Sequence, residues 1–217
     1  QRLTEWENSP TAHQDLATIL HHLGRHNEAI AQRYLAIRPE QDALQVMFDE
    51  GDRYLASGNP DLAAAAYAAL LGDGTADHRL DADQYVRVGI RLHKAGDQQR
   101  AIAAFGQSLV LQPESELARR NLGWLLLVTG NAEDAVQHLR HAVRIRATPE
   151  AMFTLAFAHL AADQPDSSTA AYARAIEQHG VRGGSRVGAR ENLDWLIEQG
   201  VQTRAARVIR DRYWPVP

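Results

Sequence analysis

The chain has 217 residues, a net charge of −4, no cysteine and a composition rich in alanine and leucine but poor in aromatics. That length suits one domain, one repeat array or two small domains. The composition favours helix over sheet and gives no support for a nucleic-acid binder, and the missing cysteine excludes disulfides, thiol chemistry and Cys-based zinc sites.

Charge is unevenly spread. Residues 40–83 hold ten acids against Arg53 and Arg79, whereas residues 182–217 hold seven arginines against four acids. A solvated surface accounts for both. No apolar run approaches the length of a membrane span, so no direct membrane insertion is expected. The chain starts at Gln1 without a signal-peptide pattern, which suggests excision from something longer. Arginine outnumbers lysine 22 to 1, a bias associated with GC-rich bacterial genomes. The compartment, periplasmic or cytoplasmic, is left open.

Taken in chain order, amphipathic stretches end at Gly24, Gly58, Gly96, Gly130 and Gly200, with spacings of 34, 38, 34 and 70 residues. The tract HLAADQPDSSTAAY sits at the midpoint of the last gap, where Asp163–Gln164 takes the place of glycine. A fixed stride of this size predicts stacked helical hairpins. Asn27, Asn59, Asp97, Asn131 and Asp166 are available as caps for each second helix. Those helices carry small, large and small residues at steps of four and three: Ala101/Phe105/Ser108, Ala135/Leu139/Ala142 and Ser168/Tyr172/Ala175. Such steps keep the three side chains on one face. Pro39, Pro113 and Pro149 are expected to block helix extension. Gly51, Gly89 and Gly123 lie inside first helices, where a missing side chain lets the second helix approach; Ala17 and Ala156 stand in the same place. RGGSRVGAR, residues 182–190, reads as an ordinary loop.

This pattern resembles the tetratricopeptide repeat (TPR) family. The unit at 82–115 matches best, through Tyr85, Val88-Gly89, Leu92, Gly96, Ala101, Phe105, Ser108 and Pro113. The other units fall at about 10–41, 44–77, 116–149 and 149–182, with capping helices at about 186–214. The resemblance implies an all-α solenoid, a single array winding as a right-handed superhelix of five to six antiparallel helix pairs. It also implies that first helices line a concave groove for a peptide or partner helix. Carried over by position, the partner-facing residues are Phe48, Ile90, His93, Lys94, Arg120, Trp124, Phe153 and Phe157. Trp124, Phe153 and Phe157 form an unusually apolar set with Arg120 nearby. Either they anchor a partner, or they pack between helices or under a further C-terminal helix.

Gln14 and Thr18 stand where a carboxylate-clamp array needs lysine and asparagine, which argues against binding of a chaperone's C-terminal tail. No catalytic, P-loop or zinc-protease motif is present. His138 and His141, three apart without an obvious acidic ligand, read as solvated, and no metal or cofactor is expected. Arg204, Arg207 and Arg210 read as the outer face of a cap helix. The expected function is a non-catalytic protein-binding scaffold. The alternatives are the periplasmic array of a bacterial exopolysaccharide-export or surface protein, with that machinery as partner, or the regulatory array of a larger enzyme.

Overall fold

The computed structural model describes residues 9–38, 41–72 and 80–215. Among them are twelve helices and no strand: α1 (Pro10–His22), α2 (His26–Leu35), α3 (Ala43–Ala56), α4 (Pro60–Ala69), α5 (Ala82–Lys94), α6 (Gln98–Leu111), α7 (Glu116–Val128), α8 (Ala132–Ile145), α9 (Pro149–Ala161), α10 (Pro165–Arg186), α11 (Ala189–Glu198) and α12 (Thr203–Tyr213). The chain forms two compact units, divided between Leu111 and Gln112. In the first, α1/α2, α3/α4 and α5/α6 pack as hairpins, and α4 contacts α2 and α5. In the second, α7/α8, α9/α10 and α11/α12 do so, with α9 packed on α7, α8 and α11.

One backbone device closes the first helix of each hairpin. At the end of α7, the Gly130 amide donates to Leu127 and the Asn131 amide to Leu126, with Gly130 at φ +87°. This paired closure needs a left-handed residue just beyond the helix, which glycine supplies without a Cβ penalty. The same two bonds recur after α1, α3, α5, α9 and α11. After α9 the left-handed residue is Asp163, at φ +57°.

The starts of the helices differ from expectation. Among the five second-helix candidates only Asp97 caps, its carboxylate accepting from the Arg100 amide at 3.0 Å. Asn59 and Asn131 occupy cap positions without capping bonds, and their amides turn back to residues 57 and 129. The side-chain caps belong mainly to the first helices, where Ser9, Asp42, Asp81, Ser115 and Thr148 each accept from the amide three residues on. Pro149 opens α9 behind Thr148 rather than closing α8, which already ends at Ile145. A proline at a helix's first position loses no bond, because that amide has no helical acceptor. Pro39 lies outside the described residues.

The glycines inside first helices are contact points. A Cβ on Gly123 would lie 2.6 Å from Leu139 Cγ, one on Gly89 2.8 Å from the Phe105 ring, and one on Gly51 2.2 Å from the Tyr67 ring. Phe105 and Leu139 are the large members of two of the small-large-small triplets, and all three triplets are buried.

The expected loop at 182–190 is mostly helix. A break at Gly180 (φ +70°, ψ 168°) redirects α10, which continues to Arg186. Gly184 is buried: a Cβ there would stand 2.5 Å from Trp214 and 2.9 Å from Phe153. Gly180 thus supplies the break, and Gly184 the close approach that permits the last helix to dock.

Two histidines, His138 half-buried and His159 buried, add a pH dependence. Burial first, then repulsion from Arg119 and His141, holds His138 below the usual histidine value against the opposing pull of Asp134. Burial likewise lowers His159, helped by Arg140 and opposed by its bond to Gln164. A group whose folded pKa is depressed favours folding fully above its unfolded pKa, about 6.5, and loses that stability as pH falls below it. Between pH 7.5 and 5.5 the melting temperature should therefore fall, and the His138→Gln/His159→Gln variant should show a shallower fall. Thermal melts followed by circular dichroism across that range check this.

Candidate functional site

The C-terminal unit contains a cavity of about 540 Å³ bounded by α7, α9 and α11. α7 contributes Trp124, Leu127 and Val128, α9 contributes Phe157 and Ala161, and α11 contributes Glu191, Asn192, Trp195 and Leu196. Gly130 and Ala132 at the α7–α8 turn and Val201 before α12 complete the lining. The space exists because Gly130, Ala132 and Ala161 are too small to fill it between three large rings. Phe157 lies between Trp124 and Trp195, with ring centroids 6.2 Å and 6.3 Å away. Trp195 is 51 % exposed, an unusual position for so large an apolar side chain. Polar side chains line the cavity only at Glu191 and Asn192, and its size and character are those of pockets that bury an apolar ligand group.

The expected partner-facing residues have different fates. Trp124 and Phe157 are brought together in this cavity, Phe157 forming its buried floor. Phe153 is not on an open face: it is 2 % exposed, beneath Trp214 and beside Tyr172. Of the two fates weighed from sequence, cover by C-terminal helices is the one seen for Phe153, because α12 returns to seat Trp214 there. Trp214 is fixed by its indole N–H, which donates to Ser185 Oγ at 2.9 Å.

Arg120 does not lie free beside Trp124. Its Nε donates to Glu116 at 3.1 Å, and the same buried carboxylate accepts from Arg146 at 2.8 Å and Thr148 at 3.3 Å. This cluster ties α7 to the connection between α8 and α9. In the N-terminal unit Phe48 is fully buried under the Arg91 guanidinium, 3.9 Å above its ring. Arg91 is held there by Asp52 at 3.2 Å. His93 bonds Gln98 at 2.9 Å, Ile90 is half-buried and Lys94 is exposed. A smaller polar cavity of about 300 Å³ in that unit includes Gln14, Arg33, Glu50 and Arg53, where Glu50 binds both arginines.

Two further expectations change. His141 does have an acidic neighbour, Glu114, at 3.2 Å. Arg210 is not simply solvated: it bridges Asp194 at 3.0 Å and Asp211 at 2.7 Å, strapping α12 to α11. Trp195 and Trp214 were the residues that sequence reasoning missed, because they lie beyond the regular repeats, where no register assigns a face.

Successive helical hairpins with small-for-large contacts define a helical-repeat protein, and the comparisons specify which kind. A family model described as tetratricopeptide repeat matches residues 89–151, and the chain has the tetratricopeptide repeat fold. Among solved structures, MamA from Desulfovibrio magneticus RS-1 is similar at 20 % identity with a TM-score of 0.53, over 80 % of this chain and 94 % of that one. TTC0263, a thermophilic TPR protein from Thermus thermophilus, is similar at 20 % identity with a TM-score of 0.51, over 85 % and 98 %. YrrB, described as a TPR protein with an unusual peptide-binding site, is similar at 15 % identity with a TM-score of 0.53, over 81 % and 89 %. At these identities the likeness is one of fold. No curated protein matches the sequence. The fold is one used for protein-interaction scaffolds.

Proposed function

We propose that the chain is a non-catalytic scaffold that binds a peptide or partner helix through the C-terminal unit, in the cavity between Trp124, Phe157 and Trp195. The cavity itself carries this reading: a concave apolar space walled by two tryptophans on first helices and the cap. Arrays of this fold bind along surfaces built from such helices, and tryptophan is over-represented among residues that dominate interface energies. YrrB, with its peptide-binding site, supports a peptide as the occupant. Arg120, in the same unit, remains a candidate for a flanking contact, and Ile90, His93 and Lys94 remain candidates for contacts made by the N-terminal unit itself. Phe48 and Phe153, being buried, act by holding their helices.

The test is affinity capture from the source organism's lysate with wild type and with Trp124→Ala/Trp195→Ala. Truncating interface anchors typically costs about 2 kcal/mol or more each, so proteins retained by wild type should be lost by the double variant while its melting curve stays close to wild type. Recovery of the same proteins by a well-folded double variant would reject the cavity as the binding surface.

A further inference from the structure

The cavity is apolar inside and acidic at its mouth. Glu191, on the first turn of α11, lines it and is exposed. Its carboxylate forms no ion pair among the described residues. Arginines on the neighbouring helices are committed elsewhere: Arg190 to Asp194 at 3.6 Å, Arg210 to Asp194 and Asp211, and Arg120 to Glu116. The one charged side chain of the lining is thus a carboxylate, and the walls are indole rings, whose faces attract cations.

We infer that the segment bound here is a basic amphipathic peptide. A large apolar side chain of the peptide fills the space over Phe157. An adjacent arginine or lysine lies against Trp195 and the Glu191 carboxylate. This inference rests on the proposed function and names its ligand chemistry. An acidic segment would meet Glu191 with like charge, which disfavours it. A purely apolar one would leave both the Glu191 carboxylate and the indole faces unused. The preference is opposite to that of an array that clamps a carboxylate.

The experiment pans a random twelve-residue phage-displayed peptide library against the full chain, then repeats the selection on Glu191→Gln and on Trp124→Ala/Trp195→Ala. The expected result is enrichment of peptides pairing a large apolar residue with arginine or lysine one to four positions away, none of them retained by the double tryptophan variant. Synthetic copies of those peptides should bind Glu191→Gln about two- to fivefold more weakly, the effect of one exposed ion pair, and should weaken as salt rises. If enriched peptides need the tryptophans but show no excess of basic residues, or bind Glu191→Gln equally well, the inference fails and the cavity remains a peptide site. If no enriched peptide depends on the tryptophans, the inference and the proposed function both fall.

Discussion

Replacing Gly51 by leucine is expected to break the packing of α3 on α4. At Gly51 even a methyl group would stand 2.2 Å from the Tyr67 ring. That ring is fully buried, and its hydroxyl donates to Asp52 at 2.6 Å, so it has little freedom to retreat. Overpacking in a well-filled core costs about 1–3 kcal/mol and occasionally more, and leucine at this contact belongs at the upper end. Alanine separates the two roles of glycine. Gly→Ala in a helix interior gains up to about 1 kcal/mol in propensity. At Gly123 the obstacle is Leu139 Cγ at 2.6 Å, with its methyl carbons at 3.0 and 3.3 Å, a smaller overlap than at Gly51 but with a side chain that is also fully buried. Gly123→Ala should therefore be less destabilised than Gly51→Ala, and Gly51→Leu should lose the native unfolding transition of the N-terminal unit. Urea denaturation followed by circular dichroism gives the ranking, and equal stability of all three variants would remove the close-approach account.

Trp214→Ala should release the C-terminal helix. The indole is 6 % exposed, packs against Phe153, Tyr172 and Tyr213, and sits over the space that Gly184 leaves. Truncating a buried aromatic to alanine costs about 3–5 kcal/mol. The ion pairs of Arg210 with Asp194 and Asp211 cannot replace it, since pairs at the surface contribute about 0–1 kcal/mol each. Amide hydrogen exchange should show α12 and the end of α10 losing protection while α7 and α8 keep theirs. Trp214→Phe should restore most of the protection, and an unprotected α12 already in wild type would contradict the role given to Trp214.

The hairpins were legible in the sequence because two local requirements leave marks. A helix closed by a left-handed residue shows glycine at a regular stride, and two helices in close contact show glycine opposite a large side chain. The same residue type misled at Gly183 and Gly184: adjacent glycines suggest a loop, yet here both lie in a helix and Gly184 admits Trp214. Capping was misassigned because asparagine and aspartate are common in turns whether or not they bond a helix amide. The fates of Phe153 and Phe157 depended on contacts beyond the repeat. Their register placed them on the α9 face, but what covers that face comes from α11 and α12, some forty to sixty residues later. The cavity was half visible for the same reason, Trp124 and Phe157 belonging to the repeats and Trp195 to the cap.

The most direct measurement is an NMR titration of the tryptophan side-chain N–H signals with a peptide selected on this chain. Binding in the cavity predicts that the Trp124 and Trp195 signals move together and saturably, while the Trp214 signal, buried against Ser185, stays in place. Saturable binding that leaves Trp124 and Trp195 unmoved would contradict the account.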